Sequence, residues 1–97
     1  MLAGARISVA AYNAALAFQA QGKPRAAIKM LRTALKYRPT SDARHYLAYV
    51  YASDGQWSEA ERELQQIPAP PGSLVAEDLN RVRARQPLQP PPTPTKD

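Results

Sequence analysis

Ser41, Asp42 and His45 are the residue types of a nucleophile, an acid and a base, and they lie within one helical turn of each other. Triad members normally come from separate elements that converge on a cleft. The cluster therefore reads as the start of a helix, and catalysis is not expected. Glu59, Glu61 and Glu63 are the densest carboxylates. At spacings of two on a helix they point to different sides, so they form a solvated acidic surface rather than a metal cage. Asp54-Gly55-Gln56 lacks the Lys-Ser/Thr that must follow in a phosphate-binding loop. The chain has no cysteine, which excludes a disulfide framework, a Cys-ligated zinc and a thiol nucleophile. His45 is the sole histidine, too few for a His-rich metal site. No cofactor and no metal are expected.

A second constellation is basic. Arg25, Lys29, Arg32 and Lys36 follow each other at steps of four, three and four, which places them on one helix face. They belong to an uneven charge distribution. Residues 1–41 carry seven basic and no acidic residues, whereas residues 42–97 carry six basic and eight acidic, for a net charge of +5. A solvated face is the plain reading of the stripe. Contact with an acidic partner or an anionic surface is the alternative. Nucleic acid is disfavoured, because no base-stacking aromatics interleave with the charges. The three glutamates could meet the stripe of a neighbouring copy, giving head-to-tail association.

The elements that carry these residues repeat. A shift of 33 residues lays Ala15 on Ala48, Phe18 on Tyr51, Gly22 on Gly55, Ala27 on Ala60 and Leu31 on Leu64. The steps within each copy are those of one helix face interrupted by a glycine, and so predict two helices joined by a tight turn. Gly22 and Gly55 suit the left-handed residue at a helix end. Pro24 suits a first turn, Ser41 a cap, and Ser58 with Glu61 a capping box. Helices are predicted at about 3–21, 24–37, 42–54 and 57–66. A fifth, at about 73–86, is capped by Ser73, with Glu77 and Asp78 near its start and Arg81, Arg83 and Arg85 near its end.

This pattern resembles the tetratricopeptide repeat family. Ala15, Phe18, Gly22, Ala27, Ala34 and Pro39 carry the resemblance in the first copy. Leu47, Ala48, Tyr51, Gly55, Ala60 and Leu64 carry it in the second, with Trp57 soon after its glycine. The period is 33 rather than 34, Ala11 replaces the usual large aromatic, and Ile67 then Pro68 end the second copy early. The resemblance implies an all-α superhelix of about five helices, with repeats at about 8–40 and 41–68 and a capping helix at 73–86. It implies that the first helix of each pair lines a concave groove, placing Tyr12, Leu16 and Gln19 beside His45, Tyr49 and Ser53. It implies, too, a non-catalytic module that binds a peptide or helix of another protein. These side chains do not match the lysine, arginine and asparagine with which some relatives hold a C-terminal carboxylate, so an apolar or aromatic segment is expected. Self-association through the repeat ends is the alternative partner.

Composition bounds the rest. The 97 residues are enough for one small domain, taken as residues 1–86. Five of the ten prolines lie in residues 87–97, a tail with PxxP spacing at Pro87-Leu88-Gln89-Pro90 that is expected to be extended or disordered. Residues 1–20 are basic and apolar enough to imitate a targeting segment. Ala15 and Phe18 belong to the repeat, however, so the segment is read as part of the fold. No run of 18 apolar residues exists to span a membrane. The missing cysteine suits a cytoplasmic protein, the favoured compartment, and equally a disulfide-free envelope or organelle protein.

Overall fold

A computed structural model describes residues 3–92; the first two residues and residues 93–97 of the proline-rich tail lie outside it. Five helices follow in order: α1 (Ala3–Ala20), α2 (Pro24–Tyr37), α3 (Ser41–Ser53), α4 (Trp57–Leu64) and α5 (Leu74–Arg83). The described residues contain no strand. Helices α1 and α2 form one hairpin, α3 and α4 a second, and α5 packs on α4. The expected all-α repeat architecture is what the chain adopts.

Alanine decides how closely the helices approach. Ala15, Ala27, Ala48 and Ala60, the four small residues of the repeat, are completely buried. Helix axes at about 8–10 Å leave room only for such side chains. Leu31, Tyr51 and Leu64 fill the spaces between the hairpins and are almost wholly buried, while Phe18 remains partly exposed. Ser8 closes the first hairpin by donating its hydroxyl to the Ala34 carbonyl at 3.1 Å, a buried bond.

Each hairpin turns by the same device. After α1, Lys23 N–H bonds the Phe18 carbonyl and Gly22 N–H bonds that of Gln19; after α3, Gln56 bonds Tyr51 and Gly55 bonds Ala52. These paired bonds need a left-handed residue at the turn, and Gly22 and Gly55 have φ of +74° and +75°. The pattern recurs a third time after α5, where Gln86 bonds Arg81 and Arg85 bonds Val82, with Arg85 at φ 54°. Helix α5 is thus built like the first helix of a third hairpin. Among the described residues no second helix follows it, because Pro87 and Pro90 to Pro92 cannot supply the N–H groups. Residues 86–92 have no regular structure, with Leu88 packed against the core and Pro91 buried.

Three boundaries differ from expectation. Thr40, not Ser41, caps α3, its hydroxyl accepting from Ala43 N–H at 3.1 Å. The capping box at Ser58 and Glu61 does not form. The turn at Gly55 starts α4 at Trp57, with no side-chain cap, and Glu61 is drawn away to Arg83 at 2.8 Å. The Arg85 turn ends α5 at Arg83, short of residue 86. Ser73 caps α5 as expected, accepting from Ala76 N–H at 3.2 Å.

Candidate functional site: the face formed by the first and third helices

Side chains of α1 and α3 meet at two places. At one, the Gln19 amide Nε2 donates to the Ser53 hydroxyl at 2.9 Å, and that hydroxyl donates onward to the Val50 carbonyl at 2.7 Å. Gln19 Oε1 is buried without a partner. At the other, the Tyr12 and Tyr46 rings lie 5.9 Å apart and the Tyr46 and Tyr49 rings 5.4 Å apart, both tilted. Such offset aromatic pairs contribute about 0.5–1.5 kcal/mol each beyond their buried area. Tyr46 is buried beneath this row, and Tyr12, Leu16 and Tyr49 remain partly exposed around it. The result is a short apolar and aromatic face edged by an amide–hydroxyl pair.

Burial governs the ionisation of this row. The Tyr12 phenol is pushed up to about 12, first by desolvation, then by the negative charge of Asp42 and the neighbouring Tyr46. Tyr46 is raised as well, by burial and by Tyr49. Both rings are therefore neutral at ordinary pH, and each hydroxyl can donate or accept a hydrogen bond.

His45 departs from the row. It is buried, and its Nε2 lies 2.7 Å from Asp78 Oδ2 on α5, so it joins two helices instead of facing an open groove. The cause lies in the repeat: Asp78 follows His45 by 33 residues and stands at the same place in α5 as His45 does in α3. The cluster with Ser41 and Asp42 is thereby separated, since both of those residues are exposed in the first turn of α3. Sequence reading missed Tyr46, whose ring ties Tyr12 to Tyr49, and missed Asp78. Extending the 33-residue shift into α5 points to Asp78, whereas nothing in the spacing marks Tyr46.

The acidic helix is committed internally. Glu59 pairs with Arg62 at 2.7 Å, Glu61 with Arg83 of α5 at 2.8 Å, and Glu63 with Arg44 of α3 at 3.0 Å. Glu59 and Glu63, four residues apart in α4, share a face, and only Glu61 points to another side, so the expected divergence holds for Glu61 alone. Each pair would have to open before the glutamates could meet the basic stripe of another copy. Among the described residues no group of three or more His, Cys, Asp or Glu could hold a metal ion. No described helix is long and apolar enough to cross a membrane.

The basic residues Arg25, Lys29, Arg32 and Lys36 are exposed along α2. Arg25 Nε reaches Asp54 at 3.5 Å. Both Nε and Nη2 of Arg32 donate to the Tyr51 hydroxyl. That hydrogen bond is the first cause of the raised Arg32 pKa. Lys36 lies over the Tyr37 ring at 5.9 Å from its centroid.

No curated protein matches the chain. A family model described as tetratricopeptide repeat matches residues 18–72, from the end of α1 through the turn before α5 and more than half of the chain. With two helical hairpins closed by the same glycine turn, and alanines at their crossings, the chain belongs to the tetratricopeptide repeat family.

Proposed function

We propose that this protein is a non-catalytic adaptor that holds a short apolar or aromatic segment of a partner protein on the α1–α3 face. Membership of the family makes it a protein-interaction module, and the family is generally without catalysis. The observation that carries the finer reading is the set Tyr12, Leu16 and Tyr49: adjacent, partly exposed and backed by buried Tyr46. Tyrosines held rigid by their neighbours bind with little further loss of rotamer freedom, which is why they serve as anchors at interfaces. Gln19 and Ser53 border the face with polar groups that can orient a peptide backbone. His45 does not belong to the contact surface in this reading, because Asp78 already occupies it.

The test is crosslinking capture with the whole chain, comparing wild type with Tyr12→Ala/Tyr49→Ala. Capture should be lost while far-UV circular dichroism stays helical. Capture that survives both changes, at unchanged helicity, removes this face from the function.

A further inference from the structure

Five of the described carboxylates, Asp54, Glu59, Glu61, Glu63 and Asp78, meet a basic side chain, while Asp42 and Glu77 have no ion-pair partner among the described residues. The cations of α2 are in the opposite condition. Lys29, Arg32 and Lys36 have no carboxylate within ion-pair distance among the described residues. Arg25 has only the 3.5 Å contact with Asp54, made by a side chain that is 87% exposed. An exposed pair of that kind is held weakly.

Arg25, Lys29 and Arg32 border a depression of about 310 Å³ that Ile28, Tyr51 and Gln56 complete. One of its donors, the Arg32 guanidinium, is fixed in advance. The Tyr51 ring is buried, and its hydroxyl anchors the Arg32 guanidinium by accepting two of its N–H groups. A hydroxyl that accepts still has one hydrogen to donate, and no described residue receives it. Gln56 Nε2 is turned to Asp54 at 2.8 Å. Lys29, the remaining N–H groups of Arg32, Arg25 and the Tyr51 hydrogen are thus left for an oxygen acceptor carrying negative charge.

We propose that this depression, with the stripe running on to Lys36, is a docking site for an acidic segment of another protein, with a glutamate or aspartate carboxylate seated among Lys29, Arg32 and the Tyr51 hydroxyl. The stripe repeats at helical steps over eleven residues, a length of about 16 Å, so a helix carrying carboxylates at the same steps can meet every cation. A second copy of this chain is a poor source, because its own acidic helix is already paired with Arg62, Arg83 and Arg44. A phosphate backbone fits less well than a peptide, since Asp54 stands at the rim and the depression's one aromatic is buried. The site lies on α2, on Tyr51 near the end of α3 and on Gln56 in the turn that follows, and does not depend on Tyr12, Leu16 and Tyr49 of the α1–α3 face.

The experiment titrates the isotope-labelled full chain, followed by amide chemical shifts, with a synthetic helix bearing glutamates at i, i+4, i+7 and i+11. Parallel titrations use its lysine counterpart, inorganic phosphate at matched ionic strength, and a single-stranded DNA oligonucleotide. Shifts should map to residues 25–36, Tyr51 and Gln56 for the glutamate helix alone, and should weaken as salt rises. Arg25→Gln/Lys29→Gln, both exposed and harmless to the fold, should weaken binding about tenfold or more, equivalent to about 1.4 kcal/mol. Lys29→Arg should retain it. Tyr51→Phe keeps the buried ring and should weaken binding severalfold through loss of the hydroxyl. The proposal is overturned if the glutamate helix shifts nothing, shifts Tyr12, Leu16 and Tyr49 instead of residues 25–36, Tyr51 and Gln56, or binds the double variant as tightly as wild type. It is equally overturned if phosphate reproduces the shifts, or if DNA binds the same amides more tightly than the peptide.

Discussion

His45 Nε2 and Asp78 Oδ2 lie 2.7 Å apart across one full repeat period, fastening α5 to α3 with a partly buried contact. Val75 and Val82 bury the apolar stripe of α5, but this polar contact fixes its position against the second hairpin. Asp78→Ala leaves the buried imidazole nitrogen without its partner, which costs about 1–3 kcal/mol. Urea denaturation should show that loss. Hydrogen exchange should show residues 74–83 losing protection before α1 and α2 do. An unchanged urea midpoint would mean that the two valines alone hold α5.

Alkaline pH should weaken the fold through Tyr12. Its folded pKa of about 12 stands above the ordinary value of 10, so the unfolded chain releases this proton first. Stability from the neutral phenol is complete below pH 10 and is lost as pH rises through 12. Tyr46, raised for the same reason of burial, adds in the same direction. Stability measured by urea across this window should fall for wild type and fall less for Tyr12→Phe. Equal slopes in the two proteins would assign the alkaline loss to other groups.

The repeat was readable because its physics is local. Alanines at a helix crossing and glycines at a left-handed turn are demanded at fixed spacing, so Ala15 with Ala48 and Gly22 with Gly55 announce themselves under a 33-residue shift. The helix starts were less readable. Ser41, Thr40 and Ser58 are all competent caps, and only the length of the preceding turn selects among them. The face was half readable. Register placed Tyr12, Leu16, Gln19, Tyr49 and Ser53 on two neighbouring helices, yet could not show that α5 would cover His45. Tyr46 and the Arg32–Tyr51 contact depend on how adjacent hairpins lean together, a tertiary quantity with no sequence spacing of its own.

Close helix approach makes the alanines intolerant of size. Ala48 is completely buried in α3, so Ala48→Leu forces either an off-rotamer side chain or separation of the helices. A loss of at least about 1–3 kcal/mol is expected. Ala10→Leu, at an exposed position of α1, should change stability by less than about 0.5 kcal/mol. Urea midpoints of the two variants make the comparison. Equal midpoints would show that the hairpin crossing has space to spare.

The third turn carries an arginine where the first two carry glycine, and the same bonding pattern makes the exchange testable. A Cβ at Gly55 would meet nothing within 4 Å, so Gly55→Ala is penalised by the backbone alone, at φ +75°. About 1–2 kcal/mol is the expected loss. Arg85 already bears that strain at φ 54° with an exposed side chain. Arg85→Gly removes the strain but gives the unfolded chain more freedom, an opposing term of about 0.4–1 kcal/mol. The balance should be neutral or stabilising by up to about 1 kcal/mol, opposite in sign to Gly55→Ala, and urea unfolding of both variants reads it directly. Should Arg85→Gly destabilise as much as Gly55→Ala, the arginine side chain is holding the chain reversal that brings Leu88 and Pro91 onto the domain.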